Sequence, residues 1–226
     1  GDANPTLTGA ITGVKNGDNI TATFGTVADP TSPVGTYPIV PVLIDPTGKL
    51  GNYTVTSNNG ALLINPAPLS VAAADASRVY GDPNPVFSGT INGIKNSDNI
   101  TATYASIADP ASPVGLYPIV PTLIDPAGKL GNYLVTPING TLTITPAPLT
   151  VQANDATRAV GAPDPVFTGT ITGIKNSDSI TATYSTTATA TDPAGSYPIT
   201  PTLIDPALKL GNYAVISIDG TLTITP

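Results

Sequence analysis

The chain has 226 residues, of which only 10% are charged, 22 are Gly and 25 are Pro; its net charge is −7 and it has no Cys, Met, Trp or His. With 40% hydrophobic residues it can bury a core, unlike a disordered polar tract. The missing Cys excludes disulfides and thiolate metal sites, the missing His excludes a histidine-based nucleophilic triad, and the acidic balance argues against nucleic acid and anionic membranes as partners.

The dominant signal is internal repetition. Gly35-Thr36-Tyr37-Pro38 returns as Gly115-Leu116-Tyr117-Pro118 and as Gly195-Ser196-Tyr197-Pro198. Lys49-Leu50-Gly51-Asn52-Tyr53 returns at Lys129–Tyr133 and Lys209–Tyr213, and Ile44-Asp45-Pro46 at Ile124–Pro126 and Ile204–Pro206. The offset is 80 residues each time. That is too long for one coil of a solenoid and suits a small domain. Three modules are expected, at 1–66, 67–146 and 147–226, each with its own core, and the first without the opening strand that the others carry. No apolar run approaches the roughly 18 residues of a membrane span, and no export signal or wall anchor is visible, so the chain reads as a piece of a longer secreted protein.

Within the second copy, Leu69–Ala73 alternates as a half-buried strand does. Asp82-Pro83-Asn84-Pro85 is a turn, because Pro fixes φ and donates no hydrogen bond. Val86–Ile94 and Ile100–Ser106 are rich in β-branched and aromatic residues and predict strands. Lys95–Asp98 between them predicts a turn. Leu116–Ile124 is apolar but holds Pro118 and Pro121, which predicts an edge or bulged strand. Tyr133–Ile138 and Thr141–Thr145 flank Asn139-Gly140, matched by Asn59-Gly60 and Asp219-Gly220, and this predicts a closing hairpin with a type I′ turn. Helical periodicity is absent. The expectation is an all-β chain with five or six short strands per copy.

The segments Pro148-Leu149-Thr150-Val151, Tyr80-Gly81-Asp82-Pro83-Asn84-Pro85, Gly115-Leu116-Tyr117-Pro118-Ile119 and Asn139–Pro146 together resemble the bacterial MBG domain of the YGX type. The resemblance covers essentially the whole chain, once per repeat. It implies tandem repeats of secreted or surface adhesin-like proteins, with small β-sandwich or β-grasp-like modules, and it brings no catalytic residues. The third copy departs from the pattern, with Val160-Gly161-Ala162 in place of Tyr80-Gly81-Asp82.

All 15 acidic residues are Asp. Asp45, Asp125 and Asp205 each precede a Pro and are read as turn formers rather than as an acid–base site. Asp75, Asp82 and Asp98, with Asn84 and Asn96, have the hard oxygens that calcium needs, but no loop pattern joins them and Asp82 becomes Ala162. They too are read as turn residues. Lys95 and Lys129 with Asn132 recur in every copy and raise an isopeptide crosslink, against the plainer reading of exposed turn lysines. Tyr117 and Tyr133 are read as core residues rather than a glycan platform. Asn99-Ile100-Thr101 is a chance glycosylation sequon.

No catalytic, cofactor or metal site is therefore assigned. The leading expectation is a structural stalk: three modules joined by short Pro-rich links as an elongated rod of about 90 Å. It would project a distal binding domain from a cell surface, with neighbouring repeats or identical chains as direct partners, and a host or cell-surface ligand met through other domains. A fibre assembled by inter-chain strand complementation is the alternative, then a ligand-binding adhesin module, then an enzyme.

Overall fold

The computed structural model describes residues 1–226. It is all-β, with seventeen strands, no α-helix and three single 3₁₀ turns at Leu50–Asn52, Leu130–Asn132 and Leu210–Asn212. The first repeat carries β1 (Thr21–Gly25), β2 (Gly35–Ile44) and β3 (Gly60–Ile64). The second carries β4 (Ala67–Ala73), β5 (Ala76–Val79), β6 (Gly89–Asn92), β7 (Thr101–Ala105), β8 (Gly115–Ile124), β9 (Tyr133–Ile138) and β10 (Gly140–Thr145). The third repeats the set as β11 (Ala147–Ala153), β12 (Ala156–Ala159), β13 (Gly169–Thr172), β14 (Thr181–Thr186), β15 (Gly195–Ile204), β16 (Tyr213–Ile218) and β17 (Gly220–Thr225).

Repeat three shows the plan in full. One sheet has the order β13-β11-β16 and the other β12-β17-β15-β14. Between them Ala153, Ala188, Ile199, Leu222 and Ile224 form a core, joined by Phe167, Tyr184 and Tyr197. Ile199 and Leu222 are wholly buried, each contributing about 1.5–3 kcal/mol. Repeat two has the same two orders, β6-β4-β9 and β5-β10-β8-β7. With no helix to cross a sheet, the module is the sandwich of the two expected layouts. Every sheet draws its strands from one repeat. Two compact bodies form: Gly1–Ala72 with Gly89–Thr103 and Pro121–Ile138, and Ala73–Ser88 with Tyr104–Val120 and Asn139–Pro226.

Four sequence expectations change. The closing hairpin does not form, because β16 lies in one sheet and β17 in the other. At Asp219-Gly220 the chain crosses between layers, and neither residue has positive φ. The glycine is required for room: a Cβ on Gly220 would meet the Asn154 carbonyl oxygen at 2.6 Å and that of Ala153 at 2.9 Å. Gly140 meets the Ala74 and Ala73 carbonyls in the same way, at 2.5 and 2.9 Å. The crossing is pinned by Asp155, whose Oδ1 accepts from the Thr221 N–H at 2.7 Å, as Asp75 does from Thr141.

The proline-bearing strand is not an edge strand in sheet order, since β15 lies between β17 and β14. Yet β17 pairs only with Gly195–Ile199 and β14 only with Ile199–Ile204. Pro198 and Pro201 each fall where one flank has no partner strand, which is where a residue without an N–H fits. β2 shows the same handover, with Pro38 opposite β3 and Pro41 opposite β1.

A short strand was also missed. β12 pairs in parallel with β17, and β5 with β10, giving seven strands per complete repeat. The stretch Val86–Ile94 supplies only β6, and Val86 behind Pro85 is exposed. Finally, packing is not confined within modules, although repeats two and three also hold clusters of their own. One buried cluster joins Tyr80, Ala108, Ile119, Leu142 and Ile144 of repeat two to Ala147, Leu149, Ile180 and Tyr213 of repeat three. Only Pro146 separates β10 from β11, so the two repeats have no slack in which to part.

The crossing explanation gives a direct test. Gly220→Ala should lose roughly 1–3 kcal/mol in urea unfolding by overpacking against carbonyl oxygens. Gly211→Ala, whose Cβ would meet nothing within 4 Å, should change stability by under about 0.5 kcal/mol.

Candidate functional site: the junction between repeats

The residues that carry recurring, non-core chemistry converge where one repeat meets the next. In the second body, repeat two presents Tyr80, Gly81, Asp82, Pro110 and Val114 to the Lys175–Asp178 turn and to Asn212 and Tyr213 of repeat three. Tyr80 is wholly buried, and its hydroxyl donates to Asp178 Oδ2 at 3.0 Å. Tyr213 donates to the same oxygen at 2.7 Å and accepts from the Lys175 N–H at 2.9 Å. The two rings meet edge to face, with centroids 5.5 Å apart and an interplanar angle of 78°. Such a pair contributes about 0.5–1.5 kcal/mol beyond area burial.

Around this centre lie three more bonds. Lys175 Nζ pairs with Asp82 Oδ1 at 2.9 Å, Asn176 Nδ2 donates to the Pro110 carbonyl at 3.1 Å, and the Val114 N–H donates to Asn212 Oδ1 at 2.9 Å. The ion pair is partly exposed and so contributes little by itself. Gly81, at φ +85°, has its Cα against the Lys175 stem; a Cβ there would meet Lys175 Cβ at 2.5 Å.

The first body holds the matching junction of repeats one and two. Lys95 Nζ pairs with Asp2 Oδ1 at 2.8 Å, Asn96 Nδ2 donates to the Pro30 carbonyl at 3.0 Å, and the Val34 N–H donates to Asn132 Oδ1 at 3.0 Å. Tyr133 is bound to Asp98 at 2.7 Å, and a Cβ on Gly1 would meet Lys95 Cβ at 2.5 Å. Each contact is the second junction's contact shifted by 80 residues.

The turn that receives these groups is built locally. Asn176 and Ser177 both take left-handed backbone, at φ 52° and 57°, as Asn96 and Ser97 do. This closes the turn and aims Asn176 outward while Tyr213 caps it. The opposite side is held by Arg78, buried although charged, which donates to Asn84 Oδ1 at 2.7 Å and to the Asp109 carbonyl. It thereby fixes the loop that offers the Pro110 carbonyl. Sequence reasoning passed over this arginine. The available signal was its return as Arg158, these being the two arginines of the chain, each inside an apolar stretch.

The other candidates find partners of their own. Asp45, Asp125 and Asp205 accept the N–H groups of Leu50, Leu130 and Leu210 at 2.6–2.7 Å, which closes the turn before each 3₁₀ segment. Those backbone donors hold all three carboxyls below the usual carboxylate range. Of the five oxygen-bearing residues weighed for calcium, Asp75 accepts from Thr141, Asp82 pairs with Lys175, and Asp98 accepts from Tyr133. Asn84 lies between Arg78 and the Ala108 carbonyl, and Asn96 bonds Pro30. No three acidic side chains gather into a group. Of the crosslink candidates, Lys95 is paired with Asp2 and the Asn132 amide oxygen with Val34, and Lys129 stands at the head of the 3₁₀ turn. Tyr133 is buried and Tyr117 half-buried, its hydroxyl on the Pro113 carbonyl.

Comparison with known proteins adds the following. The family model for the MBG domain (YGX type) matches three times, at residues 1–63, 69–143 and 149–223. No curated protein matches the sequence. Among solved structures, Drosophila N-cadherin EC1-4 is similar over 94% of this chain and 68% of its own, at 12% identity and a TM-score of 0.29. So low a score carries no argument about this chain.

The Tyr213 phenol sets a pH test. Burial first, then its hydrogen bond to Asp178, pushes its pKa up to about 12. A phenol whose folded pKa is raised keeps its proton longer when folded than when unfolded. Its stabilisation is therefore complete below the unfolded value near 10 and is lost as pH rises towards about 12. Thermal melts should fall across that window, and Tyr213→Phe should flatten the fall while lowering stability at pH 7.

Proposed function

We propose a function from one premise: the chain belongs to the MBG domain (YGX type) family, in three tandem copies. Its repeats, with limits at 1–66, 67–146 and 147–226, serve as structural stalk units of a bacterial extracellular or surface protein. Their work is to hold a distal binding domain, carried elsewhere in the parent protein, away from the cell. The supporting observation is that both junctions share three contacts at the same residue types, so adding a repeat adds a defined joint. Extracellular exposure agrees with the lack of Cys, Met and Trp, which removes the readily oxidised side chains. No helix is long and apolar enough to cross a membrane. Nothing in the arrangement supplies paired catalytic groups, and the reading is non-enzymatic.

Small-angle scattering tests the stalk. A single merged globule of this length would have a radius of gyration of about 17 Å. Three modules in line require a value above about 20 Å and a maximum dimension near 90 Å. A compact result would remove the stalk reading.

One observation favours fibre assembly as a second reading. In repeats two and three the strand Ala-Pro-Leu-x-Val runs beside a parallel partner, β4 with β9 and β11 with β16. In repeat one the corresponding segments, Gly9–Thr12 and Tyr53–Asn58, line a groove of about 330 Å³ together with Ile20, Phe24 and Leu43. That groove suits the same strand, from earlier residues of a longer chain or from another chain. Appending Ala-Pro-Leu-Thr-Val-Gln-Ala-Asn after Pro226 separates the two. Concentration-dependent polymers in light scattering would support strand donation between chains, whereas a monomer would remove it.

A further inference from the structure

The receiving side of the junction is constant and the presenting side is not. Lys15, Asn16, Asp18, Asn52 and Tyr53 in repeat one are the same residues as Lys95, Asn96, Asp98, Asn132 and Tyr133, and as Lys175, Asn176, Asp178, Asn212 and Tyr213. In each copy the tyrosine donates to the aspartate at 2.7 Å. The presenting triplet is Tyr80-Gly81-Asp82 in repeat two and Val160-Gly161-Ala162 in repeat three.

The backbone that carries the triplet is unchanged. Tyr80 N–H bonds the Thr145 carbonyl at 2.9 Å, and Val160 N–H bonds that of Thr225 at 2.9 Å. Gly81 N–H bonds Pro110 at 3.2 Å and Gly161 N–H bonds Ala190 at 3.1 Å. Arg158 holds the Thr189 carbonyl as Arg78 holds that of Asp109. Both glycines have positive φ, +85° and +79°. The frame is therefore built in both copies; Pro110 and Val114, which give backbone atoms to the junction, become Ala190 and Ala194, and the side-chain groups that reach across and are lost are the phenol that meets the next repeat's aspartate and the carboxylate that meets its lysine.

We propose that this triplet sets how firmly a repeat grips its successor, so that Tyr80-Gly81-Asp82 makes a tight joint and Val160-Gly161-Ala162 a loose one. The partner it fits is any repeat bearing the lysine, the aspartate and the capping tyrosine of the receiving turn. Valine offers apolar contact but no donor, and it leaves the Asp178-type carboxylate with one phenol instead of two. Alanine leaves the lysine without its counter-charge. The triplet thus divides an array of near-identical modules into stiff and compliant joints with two substitutions. The idea builds on the stalk reading but depends only on the junction contacts.

The test grafts the loose triplet into the tight joint of the full chain. Tyr80→Val with Asp82→Ala should speed amide exchange across the 175–180 turn by at least about 10-fold, while β15 and β17 keep their protection. Tyr80→Phe, which keeps the ring, and Asp82→Ala alone should each give part of that change. Val160→Tyr with Ala162→Asp should leave the 175–180 turn as it was. Unchanged exchange at the turn in all the Tyr80 and Asp82 variants would overturn the proposal. So would an acceleration spread equally through β10 and the turn, because Tyr80 would then act only within its own repeat. Neither result would alter the dimensions by which scattering judges the stalk.

Discussion

At the joint of repeats two and three, a single carboxylate oxygen accepts from two phenols contributed by different repeats. Asp178 closes its own turn through Tyr213 and, through Tyr80, holds the repeat before it. Hydrogen bonds to a charged acceptor are among the stronger ones, about 1.5–3 kcal/mol each, and here one donor ring is wholly buried. The turn, the approach of Gly81 and the pairing of Lys175 with Asp82 gather around that oxygen. Remove it, and the Tyr80 hydroxyl loses its acceptor while that of Tyr213 keeps only the Lys175 carbonyl at 3.2 Å.

A continuous apolar cluster supports this polar centre. Tyr80 belongs to the same buried group as Leu142 and Ile144 on one side and Leu149 and Ile180 on the other. Link length and burial work in the same direction: one residue between β10 and β11 leaves little conformational freedom to lose, and the shared cluster ties the facing ends together. Repeats two and three are separate in strand pairing and joined in packing.

The sequence displayed some of this and concealed the rest for identifiable reasons. The 80-residue period, the all-β character and the Asp-Pro turns follow from composition and spacing, and the structure has them. Asn139-Gly140 misled because one dipeptide has two physical causes. A type I′ turn needs glycine for its φ, and a sheet-to-sheet crossing needs it for lack of a Cβ, and both leave the same letters. Pro118 and Pro121 implied an edge strand; their counterparts Pro198 and Pro201 do lie at unpaired flanks, but a ten-residue strand can be an edge on each side in turn. The joint itself was illegible because its partners are 66 to 98 residues apart. Only the recurrence of Lys, Asn, Asp and Tyr in every copy marked them, and recurrence fits a core or a turn equally well. The missing phenol and carboxylate at Val160 and Ala162 were visible from the start, though only the geometry says what those groups touch.

The divided pairing of the long strands also bears on how such a chain is made. Adjacent copies of nearly the same sequence, leaving the ribosome one after another, are prone to exchange strands and to stick edge to edge. β2 and β15 each present two half-open flanks, and a proline stands on each. A proline cannot donate to an intruding strand. The residues that looked like interruptions in the sheet thus act as its guards, letting the correct neighbour pair along one half and denying a continuous ladder to a wrong one.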